Sequence, residues 1–320
     1  MIYTVTFNPA IDYVMHTENI KIGEVNRSLC EEMYFGGKGI NVSVVLKELG
    51  VDSVALGFIA GFTGEAIQNG LQEKGIKTDF VKLNSGNSRI NIKLKTNQKA
   101  KKNKTEINEI EKNKNQINET EINGCGPCID NKALDEFFRK LESIGNNDVL
   151  ILAGSIPKSI PADIYEKILS KLSDRNVKTV VDATKNLLVN TLKYKPFLIK
   201  PNKQELEEIF NVKINTIDEI ADYARKLSEM GAENVLVSMA GDGALLIDEN
   251  NKLHISDVCK GTVKNSVGAG DSMVAGFVAG LMNDDYEYAL KLGTACGGAT
   301  AFSEGLASKN KIYELLNQLS

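Results

Sequence analysis

The stretch from residue 265 to residue 272, Asn-Ser-Val-Gly-Ala-Gly-Asp-Ser, has the residue types of a site for phosphoryl groups. An apolar run over 273–278 follows at once and predicts a buried helix. The small residues at 268–270 leave backbone N–H groups open at the start of that helix, where the helix dipole favours anions. Asp271 lies among them, a poor place for a carboxylate that only balances charge but a good one for a general base. The pattern therefore predicts phosphoryl transfer to a hydroxyl group.

Two other phosphate-binding motifs do not fit the chain. A Walker loop requires Gly-x-x-x-x-Gly-Lys followed by Ser or Thr, whereas Lys38 is followed by Gly39. A dinucleotide fingerprint requires a third glycine and an early strand, whereas Met273 occupies that position late in the chain. An ordinary glycine-rich helix entry without function remains the alternative for this motif taken alone.

A second glycine-rich turn, Gly-Gly-Lys-Gly-Ile-Asn, occupies residues 36–41 and leads into another predicted helix. Its glycines let the backbone approach a ligand closely. Lys38 supplies a cation, and Asn41 supplies a hydrogen-bonding amide. The two glycine-rich turns together indicate a phosphate site more strongly than either turn does alone.

Short apolar runs alternate with amphipathic segments, which is typical of a parallel sheet covered by helices on both faces. We expect strands at 2–7, 52–59, 148–152, 178–182, 196–199 and 233–238. We expect helices at 39–49, 63–74, 131–144, 161–173, 202–210, 216–230, 268–282, 285–302 and 309–318. The predicted fold is α/β, with a doubly wound, mostly parallel sheet flanked by helices. Such a sheet binds ligands at the carboxyl ends of its strands.

Two regions, about 11–35 and 88–123, lack helical periodicity and contain alternating runs. We expect them to form a small antiparallel β lid on a single kinase domain that spans residues 1–320. A sheet covered on one face needs a partner, which predicts a closing lid or a homodimer contact. Residues 97–119 repeat a motif rich in Lys, Asn and Glu and are predicted to be a flexible insertion.

The composition excludes several classes of function. A net charge of −4 provides no basic footprint for nucleic acid. No apolar run reaches the roughly 18 residues that a membrane span needs. The five cysteines are scattered and odd in number, which favours a reducing cytoplasm over a disulfide framework.

The two glycine-rich turns resemble the signatures of the ribokinase-like phosphofructokinase-B family of carbohydrate kinases, and the resemblance runs nearly end to end. Three stretches, 6–12, 89–94 and 120–127, are most similar to members that phosphorylate the 6-hydroxyl of fructose 1-phosphate to give fructose 1,6-bisphosphate. Kinases that convert tagatose 6-phosphate to tagatose 1,6-bisphosphate share most of these motifs and are the alternative. The resemblance implies ATP as co-substrate and Mg²⁺ as cofactor.

The resemblance also implies a role for each candidate residue. Asp271 would accept the proton of the attacking hydroxyl, while the N–H groups of Gly268, Ala269 and Gly270 would bind the charge on the transferring phosphoryl group. The substrate-binding set is Asp12, Gly37, Lys38, Asn41, Arg89 and Arg27. The ATP-binding set is Ser238, Met239, Ala240, Gly241, Asp242, Gly243 and Gly270. Asn202 and Glu205 would order Mg²⁺ through water.

Several of these roles have structural alternatives. Asp12 would bind sugar hydroxyls or form an Asx turn. Asn202 and Glu205 could form a capping box and nothing more. Lys38 and Arg89 are the candidates for the phosphate that the substrate already carries.

The roles of Arg27 and Ala240 each depend on a further feature of the structure. Arg27 matches a position that reaches across a dimer in relatives, but an exposed arginine is usually a solvated charge. Ala240 stands where related turns have glycine, and a positive φ there would be strained.

Two functions from other classes remain open from the sequence. A regulatory sugar-phosphate-binding protein could keep the fold without turnover, although it would have no need of Asp271. Cys125 and Cys128 spell the thioredoxin tetrapeptide Cys-Gly-Pro-Cys, but a redox pair requires a strand directly before it and its first cysteine at a helix start. The preceding Asn-Gly and a predicted helix cap at Asp130 argue against that interpretation.

Overall fold

The computed structural model describes residues 1–98 and 116–319 of the chain, so most of the predicted insertion at 97–119 lies outside the described residues. In chain order the strands are β1 (Ile2–Thr6), β2 (Ala10–Thr17), β3 (Cys30–Gly36), β4 (Ser53–Ala60), β5 (Lys77–Thr78), β6 (Val81–Leu83), β7 (Arg89–Gln98), β8 (Gln116–Asn123), β9 (Val149–Ala153), β10 (Lys178–Asp182), β11 (Leu198–Ile199), β12 (Asn234–Ser238), β13 (Ala244–Ile247) and β14 (Leu253–Ser256). The helices are α1 (Lys38–Glu48), α2 (Gly61–Glu73), α3 (Asn131–Lys140), α4 (Ile164–Leu172), α5 (Lys185–Val189), α6 (Lys203–Phe210), α7 (Ile217–Glu229), α8 (Ala269–Gly280), α9 (Tyr286–Ala301) and α10 (Lys309–Leu316).

A ten-stranded main sheet has the order β14-β13-β12-β11-β10-β9-β1-β4-β5, with β6 also paired to β4. Its pairings are parallel from β11–β12 through β1 to β4 and antiparallel only where β12, β13 and β14 meet. The chain winds outward from β1 in both directions, which makes β1 the topological switch point where ligands bind. The predicted doubly wound α/β fold is confirmed.

Helices cover both faces of the main sheet. On one face α3, α4, α6 and α7 pack through a cluster that includes Phe137, Tyr165 and Leu206. On the other face α1, α8, α9 and α10 pack through residues such as Phe277 and Ile312. Helices α8 and α9 lie so close that a Cβ added at Gly276 would meet the Leu292 carbonyl at 2.7 Å. This close packing fixes the position of α8, whose first turn contains Asp271.

A separate four-stranded sheet, the small sheet, has the order β3-β2-β7-β8. Its outer pairings, β2–β3 and β7–β8, are antiparallel, as expected. The central pairing of β2 with β7 is parallel. Both strands leave the main sheet from the carboxyl ends of its strands, β2 after β1 and β7 after β6, so they run side by side in the same direction.

All six predicted strands of the main sheet are present within two residues of their expected bounds. Strands β5, β6, β13 and β14 and the short helix α5 were missed. The Ala-Leu-Leu-Ile run of β13 is uniformly apolar, and such a run fits a strand or a buried helix equally well. Across residues 1–98 and 116–319, no helix is both long and apolar enough to cross a bilayer.

Candidate active site

The carboxyl ends of β10, β11 and β1 bring charged residues from distant parts of the chain together. Asp182 is the last residue of β10, and Lys200 follows β11. Both are buried, at 1% and 4% exposure. Lys38, from the start of α1, and Asp271, from the first turn of α8, approach the same point. The predicted placement of ligands at this edge is thus matched by a cluster of ionisable side chains.

Asp271 is buried, and its Oδ2 accepts a hydrogen bond from Asn41 Nδ2 at 2.8 Å. Burial, and after it the negative charge of Asp182, raises the pKa of the Asp271 carboxyl to about 6. The charges of Lys38 and Lys200 and the Asn41 hydrogen bond act in the opposite direction. A carboxylate with this pKa is ionised near neutral pH yet basic enough to accept a proton, which suits a general base.

The N-terminus of α8 has no side-chain cap. Gly268 precedes the helix with φ +80°, and a Cβ there would lie 2.8 Å from Leu306 Cδ2, so the position favours glycine. The Ala269 N–H donates to the Ser266 carbonyl at 3.2 Å. The N–H groups of Gly268 and Gly270 have no acceptor in the described part of the chain. Open donors at a helix start attract anions, so this end of α8 is a candidate anion site next to Asp271.

A buried carboxylate links two lysines beside this anion site. Asp182 Oδ2 lies 3.0 Å from Lys38 Nζ, and Asp182 Oδ1 lies 3.3 Å from Lys200 Nζ. Burial opposes ionisation of Asp182, but the two ammonium groups outweigh it, so its pKa lies below the usual range. Lys200 is also close to α8, because a Cβ at Gly270 would lie 3.2 Å from its Nζ. Two cations therefore flank the open N–H groups.

Asp182 and Lys200 were not among the site residues expected from the sequence. The available signal was their position, since both stand at the carboxyl ends of predicted strands, where doubly wound sheets bind ligands. The hydrophobic periodicity of the strands places such residues at the carboxyl-terminal edge of the sheet, but it does not say which side chains point into the site.

Asp12 lies in β2, just beyond β1, where the small sheet meets the main sheet. Its Oδ1 accepts from Asn91 Nδ2 at 2.7 Å, and its Oδ2 lies 3.9 Å from Lys93 Nζ. These bonds come from β7, so an Asx turn after Pro9 does not account for this side chain. A cavity of about 340 Å³ is lined by Asp12 and Asn41 together with Lys93 and Lys95.

The remaining predicted substrate residues occupy different positions. Gly37 adopts φ +124° before α1, where a Cβ would collide with Thr6, so its lack of a side chain serves packing against β1. Arg89 is half-buried and its Nε donates to the Asn8 carbonyl at 3.1 Å. Arg27 is exposed between β2 and β3 and joins none of these groups within the described residues.

The predicted nucleotide turn follows β12. Ser238 forms an isolated parallel bridge with Asn202, which places this turn beside the start of α6. Ala240 has φ +52°, the left-handed conformation that the sequence analysis named as strained for alanine. Gly241 and Asp242 are exposed, whereas Met239 is buried in the core, so Met239 offers a ligand only its backbone. Gly243 closes the turn with φ +84°.

Asn202 and Glu205 form a complete capping box at the start of α6. Asn202 Oδ1 accepts from the Glu205 N–H, and Glu205 Oε2 accepts from the Asn202 N–H, both at 2.8 Å. Among the described residues, the second carboxylate oxygen of Glu205 accepts no hydrogen bond. Within the described residues no group of three or more His, Cys, Asp or Glu side chains could hold a metal by itself. The donor set fits Mg²⁺ carried mainly by phosphates and waters, with Glu205 as an outer contact.

Cys125 and Cys128 are free, exposed thiols ahead of α3. That helix begins at Asn131, and Asp130 caps it by accepting from the Ala133 N–H at 2.8 Å. Neither cysteine stands at the helix N-terminus that a redox pair requires.

Comparisons with known proteins agree with this geometry. Residues 4–312 match the pfkB family carbohydrate kinase model. The 1-phosphofructokinase of Bacillus subtilis is 45% identical over 320 residues, which cover 100% of this chain and 98% of the relative. The D-tagatose-1-phosphate kinase of Bacillus licheniformis is 36% identical over 321 residues, with 100% and 98% coverage.

A solved structure extends the agreement to the backbone. Phosphofructokinase-2 from Escherichia coli, in complex with substrates and products, superimposes with a TM-score of 0.88 over 99% of both chains. At 22% identity this likeness supports the fold alone. Taken with the family match and the full-length relatives, it leads to one conclusion: the chain belongs to the pfkB family of carbohydrate kinases.

Proposed function

We propose that this chain is an ATP-dependent kinase that transfers a phosphoryl group to the 6-hydroxyl of D-fructose 1-phosphate, giving fructose 1,6-bisphosphate and ADP. The observation that carries the proposal is Asp271, a buried carboxylate with a pKa of about 6 that Asn41 holds beside the open N-terminus of α8. This arrangement joins a base for a hydroxyl to a site for a phosphoryl anion.

Asp271 accepts the proton of the attacking hydroxyl as the new oxygen–phosphorus bond forms. The N–H groups of Gly268 and Gly270 bind the charge that spreads over the transferring phosphoryl oxygens. Ala269 would join them only by giving up its 3.2 Å bond to Ser266. Asp12 orients the sugar through its hydroxyl groups, and Asn41 keeps the base in place.

Lys38 and Lys200 stabilise the same transferring group. Lys38 is held 3.0 Å from Asp182, near Asp271, so it lies at the reacting end of the site. That position favours contact with the transferring phosphoryl group over contact with the phosphate that the sugar already carries. When bound with ATP, Mg²⁺ would neutralise charge on the nucleotide phosphates, and Glu205 would contact it through water.

The nucleotide is proposed to lie along the turn from Ser238 to Gly243, which borders the start of α6. From there its terminal phosphate can point toward the N-terminus of α8. Arg89 and Arg27 stay as candidate sugar contacts, Arg27 only through a second copy of the chain. The exposed Met33, Ile90 and Ile122 on the outer face of the small sheet support a homodimer formed through that sheet. A cytoplasmic location stays a prediction from the cysteine pattern.

The identity of the sugar rests on the relatives. The 1-phosphofructokinase relatives support fructose 1-phosphate, and the D-tagatose-1-phosphate kinase relative keeps a tagatose phosphate as the second candidate. The alternative expected from the sequence is tagatose 6-phosphate, whereas the name of that relative places the phosphate on carbon 1.

The test is an ADP-release assay with ATP and Mg²⁺ against fructose 1-phosphate, tagatose 1-phosphate, tagatose 6-phosphate and fructose 6-phosphate. We expect kcat/KM for fructose 1-phosphate to exceed the others by about 100-fold or more. A higher value for a tagatose phosphate would keep the mechanism and replace the substrate. No turnover of any of them would contradict the proposal.

A further inference from the structure

The inner face of β7 carries polar residues where strands normally bury apolar ones. Asn91, Lys93 and Lys95 are 7%, 7% and 8% exposed, while Ile90 on the opposite face is 42% exposed. Alternate residues of a strand share a face, so the two lysines point to the same side. Lysines are almost never fully buried unless they are paired, so this reversal calls for a partner.

Lys93 has protein partners. Its Nζ lies 3.9 Å from Asp12 Oδ2 and 3.4 Å from Glu121 Oε1. These contacts place its positive charge next to the carboxylate proposed to bind sugar hydroxyls.

Lys95 makes no comparably close contact with a carboxylate among the described residues. In the described part of the chain its ammonium group makes no ion pair and no hydrogen bond. The hydrogen bond from the Tyr34 hydroxyl and, to a smaller extent, the charge of Lys95 lower the pKa of Glu32. The Glu32 carboxylate also lies 2.9 Å from His16 Nε2, so it is already engaged. Glu119 lies opposite Lys95 in the register of β7 with β8 and lines the same cavity, but it forms no ion pair with Lys95. An anion bound in the cavity would give the Lys95 ammonium group a direct charged contact.

Both lysines line the cavity that also contains Asp12 and Asn41. Residues two apart in a strand are separated by roughly 7 Å, and their flexible side chains can converge on one anion. Asn41 marks the reacting end of this cavity through its bond to Asp271, and the lysines lie on the small sheet. A ligand that fits carries a hydroxyl at one end and a doubly charged anion at the other.

We propose that Lys93 and Lys95 bind the phosphate that the sugar substrate already carries. This inference rests on the proposed function and assigns to β7 a role that Lys38 cannot fill while it binds Asp182. It makes the lysines of the small sheet the residues that separate phosphorylated from unphosphorylated sugars.

The test compares Lys95→Gln, Lys93→Gln and Lys95→Arg with Lys82→Gln, an exposed strand lysine outside the cavity. Losing a charge-assisted contact to phosphate is expected to raise KM for fructose 1-phosphate roughly 10- to 100-fold in Lys95→Gln. The KM for ATP is expected to stay within about 2-fold, since the lysines lie away from the nucleotide turn. Lys95→Arg should recover most of the affinity, and Lys82→Gln should behave as wild type.

Thermal melting with and without ligand provides a second readout. Lys95→Gln should reduce the rise in Tm that fructose 1-phosphate produces in the wild type, whereas Lys82→Gln should keep it. An equal KM in Lys95→Gln and Lys82→Gln would overturn the phosphate assignment alone, provided that the wild type is active. A wild type that neither turns over fructose 1-phosphate nor is stabilised by it would overturn both proposals.

Discussion

The first turns of helices α6 and α8 are completed in opposite ways. Each has a carboxylate at its third residue, Glu205 in α6 and Asp271 in α8. In α6 that carboxylate turns back and, with Asn202, satisfies the helix start. In α8 the preceding residue is Gly268, which has no side chain to offer, and Asp271 turns toward Asn41 instead. The same position thus yields a closed cap in one helix and an open site in the other.

The two helix starts affect the free energy of unfolding in opposite directions. A capping residue stabilises a helix by about 1 kcal/mol. Asp271 does the reverse, because its pKa is raised from 3.8 to about 6 in the fold, which disfavours its charged form by roughly 3 kcal/mol at neutral pH. The folded state binds the proton more tightly than the unfolded state, so this penalty grows as pH rises from about 4 to 6 and is complete above that range. Ionised Asp271 therefore lowers the free energy of unfolding, and it does so in the helix that is proposed to carry the catalytic base.

The sharpest way to break the comparison is Asp271→Asn, which keeps the shape and removes the base. We expect kcat to fall by about 10³-fold, within the range that general bases contribute. Steady-state assays and urea unfolding at pH 7 should show activity lost while stability rises by up to roughly 3 kcal/mol. A variant that loses both activity and stability would mean that Asp271 serves the fold.

Filling the open helix start is the next largest change. Gly268→Ala adds a Cβ at φ +80° and 2.8 Å from Leu306 Cδ2, which strains the helix start, and kcat is expected to fall about 100-fold. Gly50→Ala is the matched control, because Gly50 has φ +79° with nothing within 4 Å of an added Cβ. Both variants should lose about 1–2 kcal/mol of stability, but only Gly268→Ala should lose turnover. Equal turnover in the two variants would contradict an anion role for the α8 start.

The pH profile probes the base without a mutation. Because Asp271 must be ionised, kcat/KM is expected to fall about tenfold per unit as pH decreases below about 6. The Asn41 hydrogen bond favours the charged form, so Asn41→Ala should raise this pKa and move the acidic limb to higher pH. A profile that is flat down to pH 5 would exclude Asp271 as the titrating group.

The capped helix provides a smaller test. Glu205→Gln weakens the capping box and is expected to cost about 0.5–1 kcal/mol of stability. It should also raise the Mg²⁺ concentration for half-maximal activity a few-fold. Glu219→Gln is the control, because Glu219 forms an equivalent capping box with Thr216 in α7. If the two variants share the same Mg²⁺ dependence, Glu205 acts only as a cap.

The smallest expected effect concerns the nucleotide turn. Ala240 holds φ +52°, so Ala240→Gly should relieve roughly 1 kcal/mol of backbone strain and raise Tm by a few degrees. The KM for ATP should change by no more than about twofold, because the turn already has its shape. A large drop in KM would show instead that alanine distorts the nucleotide site.

The sequence predicted the helix starts at Gly37 and Gly268 because glycine-rich turns before apolar runs have a local signature. It also predicted the consequence of Ala240, since handedness depends on the residue itself. The Asp182 contacts with Lys38 and Lys200 were beyond reach, because they join three segments far apart in the chain. The lysines of β7 belong to an alternating run, and alternation alone does not say which face of the strand is covered.

The cluster at the candidate site carries two negative and two positive charges before any ligand binds, from Asp182, Asp271, Lys38 and Lys200. A nucleotide brings more negative charge than one Mg²⁺ neutralises, and it brings that charge next to a carboxylate whose pKa is about 6. The incoming charge raises that pKa further and draws a proton from solution near neutral pH. Nucleotide binding and proton uptake are thereby linked equilibria, so the acidic limb of kcat, which reports the complex, should lie at a higher pH than the acidic limb of kcat/KM, which reports the free enzyme.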